Sequence, residues 1–263
     1  YGGVDYCRAF LPKWKGHERI TPFISPYFTD CVDDGLVDAV NGLSQQYDLP
    51  VSFHLEEMDY EMDFYRSAFG MTPAACLAKR GLVNERLIAA HCIKASWEDI
   101  GLFAENGVSV AHCIGANTKA AKGVAPIKDM LSEGIAVGLG TDGPSSGNTL
   151  DLFTQMKLFA NFHKSENRDR SAFPASQIVA LATAGGARAL KLGDRIGSIE
   201  PGKQADLVII ETKSPNMFPI FDEYSALVYS AGPQNVDSVY VDGKRLVKDG
   251  KLALMDFEAL REN

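Results

Sequence analysis

Four short apolar runs in this chain each stop on a polar side chain able to bind a metal, and that pattern limits the folds open to it. VSFH ends at His54, LIAAH at His91, VSVAH at His112 and IAVGLGTD at Asp142. Runs of this length and apolarity suit strands buried on both faces. Stretches with helical spacing separate them, so the chain reads as successive βα units of an α/β protein, and a (β/α)8 barrel is the expected architecture. In such a barrel the residue at the C-terminal end of a strand points into the mouth where chemistry is done. Four polar ends in succession point to an enzyme.

ITPFISPY, from Ile20 to Tyr27, reads as one more strand ahead of these four, which makes the visible set strands four to eight of a barrel. The chain opens at Tyr1 in what reads as mid-architecture, and the first three strands are expected in a segment outside it. Helices are predicted in LVDAVNGLSQQY behind Asp33 and Asp34, in TPAACLAKRG, and in SWEDIGLFAENG with Ser96 as N-cap and Gly107 at its end. Further helices are predicted in APIKDMLSEG, TLDLFTQMKLFANFHK and PASQIVALATAGGARALKL. In the last of these, Gly185 and Gly186 would permit close backbone approach. HLEEMDYEMDFYRSAFG reads as a mouth loop running into a helix.

From Gly197 the texture changes. ADLVII and VDSVYVDGKRLVKDG read as short strands around the hairpin signal Asp242-Gly243, with a short helix in MDFEALREN. The expected division is therefore residues 1–196 for the C-terminal part of the barrel and residues 197–263 for a small β-sandwich module. A length of 263 residues with 46% apolar side chains suffices for a large core. The net charge of −8 and the lack of a basic cluster argue against a nucleic-acid partner. Five cysteines, odd in number and without CxxC spacing, suit reduced thiols in a cytoplasmic protein. No apolar run reaches the roughly 18 residues of a membrane span, and no leader-like segment is read, so no membrane partner is expected.

Each candidate has a plainer reading beside the chemical one. His54, followed by Glu56 and Glu57, is either a metal ligand with a proton-shuttling carboxylate close by or a half-buried histidine closing a strand. His91 and His112, taken singly, suit histidines satisfied by backbone carbonyls, whereas three histidines on consecutive strand ends would converge on one mouth. Asp142, in GLGTDGPSSGN, is either an Asx-turn aspartate or a ligand and general base. Asn117 and Lys119 in GANTKAAKG, and Ser145, Ser146 and Asn148 in GPSSGN, are read as loop polars near the same mouth.

The ordered strings VSFHLEE, LIAAHC, VSVAHC with GANTKAAKGVAPI, VGLGTDGPSSGNTLDLF, IGSIEPGKQADLVII and VYVDGKRLVKDG resemble the amidohydrolase superfamily. The resemblance is closest to its branch of methylthioadenosine/S-adenosylhomocysteine deaminases, guanine deaminase and triazine chlorohydrolases. It covers nearly the whole chain from Ile20. It implies a metal-dependent hydrolase that deaminates an amino-substituted purine, pyrimidine or triazine, with loss of chloride or an alkylamine from such a ring as the alternative, and a catalytically dead barrel serving as a binding subunit as a second. His54 matches the strand-five metal ligand and Asp142 the strand-eight residue that ligates metal and takes a proton from water. Glu57, and not Glu56, matches the glutamate that protonates a ring nitrogen. His91 matches the strand-six histidine beside the water, also a candidate ligand, and His112 and Asn117 match the strand-seven segment in a structural or substrate-facing role. Substrate contact is thus expected of Glu57, His112, Asn117, Ser145 and Ser146. The resemblance implies one divalent ion, Zn or alternatively Fe or Mn, a small heterocyclic substrate and a homo-oligomer.

The sequence departs from the family pattern at two points. No His-x-His occurs, which places two further ligands outside this sequence. FISPY, with Ile24, stands where adenosine-type deaminases have a histidine in PHAPY, which removes a substrate-anchoring hydrogen bond and points away from methylthioadenosine and adenosylhomocysteine.

Overall fold

The four apolar runs pair side by side. In a computed structural model that describes residues 2–27 and 33–261, β1 (Val51–Leu55), β2 (Leu87–His91), β3 (Ser109–His112) and β4 (Ala136–Leu139) form a parallel sheet in chain order. Its register sets His54 beside Ala90, Leu55 beside His91, and His112 beside Leu139, so the polar strand ends finish at one edge. Two bonds continue the pairing past the strands, from the Cys92 amide to Leu55 oxygen (3.0 Å) and from the Lys94 amide to Glu56 oxygen (2.8 Å). These lock the exits of β1 and β2 together.

Helices cover the sheet because the strands bury both faces, and the predicted helical patterns form where their caps allow. Asp33 accepts from the Leu36 amide at the start of Asp34–Tyr47, and Thr72 caps Pro73–Lys79. Ser96 and Asp99 make a reciprocal capping box on Trp97–Glu105. Asp151 opens the long helix Leu152–Glu166 by accepting from Phe153 and Thr154. Leu55, Phe103, Ile127 and Phe159, all fully buried, belong to the one principal core that these layers enclose.

Several expectations are corrected. ITPFISPY makes one isolated bridge, Ile24 to Val51, rather than a strand, because Pro22 and Pro26 remove the amides on either side that a ladder would use. The fourth run pairs only to Leu139, and Asp142 lies three residues past the strand end. GANTKAAKG is not a loop: Ile114–Lys119 is helical, and so is the single turn Pro144–Gly147 within GPSSGN. The helix from Ala175 is interrupted by a π-helical turn, Leu181–Gly185, before Gly186–Ala189. The close approach predicted for the glycine pair is present: a Cβ on Gly138 of β4 would lie 2.7 Å from the Gly186 Cα.

The expected sandwich is a single antiparallel sheet among the described residues, with β5 (Leu207–Ile210), β6 (Val236–Val241), β7 (Lys244–Lys248) and β8 (Lys251–Leu252) in that order. Asp242 and Gly243 turn the β6–β7 hairpin with φ of 50° and 73°, the left-handed pair that a two-residue turn requires. The closing helix is Phe257–Arg261. Cys7, Cys76, Cys92 and Cys113 are free thiols, and Cys31 lies outside the described residues. Among the described residues no helix is long and apolar enough to cross a membrane.

Candidate active site

His54, next to last in β1, is held from behind. Its Nδ1 donates to the Tyr27 carbonyl oxygen at 2.6 Å, which makes Nε2 the lone-pair nitrogen of the neutral ring. This is the arrangement by which an outer carbonyl orients a metal-binding imidazole. The ring stacks on that of His91, with centroids 5.2 Å apart and planes at 17°.

His91 ends β2 in a left-handed backbone (φ 72°), which breaks the side-to-side alternation of the strand. It is almost fully buried, and its Nδ1 lies 2.7 Å from Asn117 Oδ1. Burial lowers its pKa, opposed by the nearby Glu57 carboxylate. The ring is therefore neutral near pH 7, with Nδ1 protonated toward Asn117 and Nε2 facing Glu57 Oε1 at 3.5 Å. Asn117 holds this tautomer from within its helix, entirely shielded from solvent. As observed, it is an orienting group for His91 rather than a solvent-facing loop polar.

The two adjacent glutamates point to different places. Glu56 takes a left-handed conformation (φ 53°), turning its carboxyl inward to accept from the Ala74 amide at 3.1 Å. Burial, with Asp99 adding to it, pushes that carboxyl well above the ordinary glutamate range. Glu57 instead meets the Lys122 ammonium and the edge of His91. Glu61 accepts from both main-chain amides, Glu56 N at 3.1 Å and Glu57 N at 2.9 Å. The sequence reading passed over Lys122 and Glu61. Glu61 falls on the first turn of a helix, where a carboxylate ordinarily faces water, and Lys122 sits between two left-handed residues, Ala121 and Gly123, that spacing does not reveal.

Asp142 is also left-handed (φ 57°), and its Oδ1 accepts from the Gly143 amide at 2.7 Å. Partial burial pushes its carboxyl upward. The Gly143 amide, the Ser146 hydroxyl and the imidazoles of His91 and His54 outweigh that and hold it below the ordinary aspartate value. Ser146 thus supports Asp142, while Ser145 is exposed. Lys119 reaches Asn148 across the same rim.

His112 is not among these groups. Its ring is fully buried against Phe159 and meets His163 with Nε2 atoms 3.0 Å apart, on the side where Leu152–Glu166 covers the sheet. This placement lends nothing to a substrate-contacting role. The buried thiols are equally remote from nucleophilic work, since burial pushes Cys113 up to about 12 and Cys92 well above its ordinary value.

His54, His91 and Asp142 supply chemically suitable donors, but among the described residues no three histidine, cysteine or acidic side chains are close enough to hold a metal together. The donor set fits part of a zinc site: His54 is in the ligand tautomer and Asp142 in its ionised form.

Comparison with known proteins identifies the family. Over 260 residues the chain is 34% identical to a 5-methylthioadenosine/S-adenosylhomocysteine deaminase from Syntrophobacter fumaroxidans, an alignment covering 99% of this chain and 59% of that protein. A zinc-bound adenosine deaminase from Xanthomonas campestris superposes with a TM-score of 0.95 at 37% identity, over 98% of this chain and 59% of the other. A zinc-bound atrazine chlorohydrolase from Arthrobacter aurescens gives 0.89 at 26%, over 99% and 58%. The chain thus spans somewhat under three-fifths of the length of the relatives it matches. Residues 5–246 match the family model described as Amidohydrolase family, and the chain belongs to that family.

Proposed function

We propose that this chain carries the proton-transfer half of an aminohydrolase site that deaminates an amino-substituted heterocycle, an aminopurine above all. The observation that carries the reading is the meeting of Glu57 with His91 Nε2 (3.5 Å), beside the stacked His54 ring and the ionised Asp142, at the exits of parallel strands. The names of the relatives support a purine ring bearing an exocyclic amine. Ile24, bridged to Val51 of β1, is buried in the principal core and offers a substrate no hydrogen-bonding group.

His54 and Asp142 are the residues of this chain that would hold a zinc ion. When bound, such an ion supplies Lewis acidity that brings water toward ionisation at neutral pH. Asp142, kept ionised by the Gly143 amide and Ser146, accepts a proton from the attacking water. His91, held neutral by burial and turned by Asn117, offers its Nε2 lone pair as a hydrogen-bond acceptor that orients that water. Glu57, in its protonated form, gives its proton to the ring nitrogen next to the carbon under attack. Asp142 passes the proton taken from water to the departing amine, ammonia leaves, and the hydroxyl of the tetrahedral centre returns its proton to Glu57 as the carbonyl forms.

We read residues 1–196 as the C-terminal part of a (β/α)8 barrel and 197–263 as the accompanying β module. The sequence-ordered parallel strands, each followed by a helix, support this reading.

The test joins elemental analysis to a substrate panel. Purified protein whose mass includes a His-x-His segment beyond these 263 residues is expected to carry about one equivalent of zinc and to release ammonia from aminopurine nucleosides. Chloride or alkylamine release from triazines, with no ammonia from purines, would reassign the leaving group. Protein without metal after incubation with zinc, and inert to both panels, would overturn the proposal.

A further inference from the structure

We propose that Glu61 is a positioning residue for Glu57, acting through the main chain, with Lys122 completing the hold on the carboxylate; this rests on the deaminase reading above. The strand β1 ends at Leu55 and the chain then passes through the left-handed residue Glu56. That turn points the amides of Glu56 and Glu57 to one side as a pair of adjacent donors, a concavity suited to an anion. Glu61 fills it with both carboxylate oxygens, Oε1 to Glu56 N (3.1 Å) and Oε2 to Glu57 N (2.9 Å).

The clamp is buried, with Glu61 only 5% exposed, so neither bond competes with bulk water. Met58, the residue that opens helix Asp59–Phe69, provides no side-chain cap, and Glu61 instead reaches back past it. The mouth loop is thereby tied to its own helix over a few residues. From the opposite side Lys122 pairs with Glu57 Oε1, and the Lys122 amide bonds to Asn117 oxygen at 2.9 Å. Asn117 is also the group that turns His91. Glu57 and His91 are therefore set from one short segment, residues 117–122, while Glu61 sets the height of the Glu57 backbone.

Glu61→Gln is nearly isosteric but replaces one acceptor with an NH2 that faces a peptide N–H. With the Glu57 carboxylate displaced by about an ångström, kcat on an aminopurine nucleoside is expected to fall roughly 100-fold. KM is expected to stay within about threefold, since Glu61 binds no substrate. Placed in a Glu57→Gln background, the same change is expected to alter kcat by less than about twofold, because its effect runs through Glu57. Glu61→Asp, which keeps two oxygens, is expected to regain part of the lost rate.

Amide hydrogen exchange supplies a readout free of catalysis: the Glu56 and Glu57 amides are expected to exchange faster in Glu61→Gln, with β2 and β3 unchanged. An equal loss of rate in both backgrounds, or faster exchange across the whole sheet, would make Glu61 a general stabiliser and overturn the proposal. Unchanged rate and unchanged exchange would overturn it too. Should the unsubstituted protein release no ammonia from any heterocycle, the deaminase reading fails, and exchange at these two amides still decides whether Glu61 is the clamp.

Discussion

An imidazole that donates through Nδ1 presents a lone pair at Nε2, and both His54 and His91 are set this way, by the Tyr27 carbonyl and the Asn117 amide oxygen. Glu57→Gln keeps the shape and removes the transferable proton, so kcat is expected to fall about 10³-fold with zinc content unchanged, checked by ammonia release and elemental analysis. Asn117→Ala leaves His91 without its partner. A loss of roughly 10- to 100-fold in rate is expected, together with a mixed tautomer at His91 in ¹⁵N NMR spectra. At this scale the histidines and Glu57 are legible in sequence because each lies within two residues of a strand's end. Asn117 was legible as a candidate but not in its role, since the helix that buries it looks like a polar loop when read by composition.

Among the elements, Leu152–Glu166 is joined to β3 by the buried His112–His163 contact. Burial lowers both imidazoles, His163 to about 4 and His112 well below its ordinary value. In the unfolded chain each titrates near 6.5. The folded state therefore binds fewer protons, and this stabilisation, complete above pH 6.5, is lost as pH falls through about 4. Urea titrations from pH 7 to 4 are expected to show stability declining across that window, and His163→Gln to flatten the decline. Gly138→Ala probes a second contact, because its Cβ would meet the Gly186 backbone at 2.7 Å. A cost of about 1–3 kcal/mol is expected from this overpacking, read as a lowered urea midpoint. The helices were legible from caps such as Ser96 and Asp151. The π turn at Leu181–Gly185 was not; it packs against β4, where a Cβ on Gly185 would lie 2.8 Å from the Val137 oxygen, and no local spacing reveals that contact.

Across the whole molecule, the segment between β5 and β6 returns to the helical layer. Val228 is fully buried and belongs to the principal core, and Lys164 lies over the Tyr229 ring. This joins the two sheets, so calorimetry is expected to show one unfolding transition, with Val228→Ala lowering stability by about 2 kcal/mol without splitting it. The sequence by itself determined the α/β alternation, four of the five predicted barrel strands in their order and the histidines at or next to three of their ends, because period and apolar content are local properties of a chain. It also carried the family, since ordered motifs survive without coordinates. Only the tertiary structure decided where side chains with the same local pattern point. Of the two adjacent glutamates, one turns into the core and one toward His91, through the left-handed residue Glu56 and the distant groups Ala74 and Lys122. Of three histidines in or at the ends of strands, His112 turns to the covering helix, because Phe159 and His163 offer it a buried partner there. Contacts between residues tens of positions apart set these choices, and no window along the chain contains them.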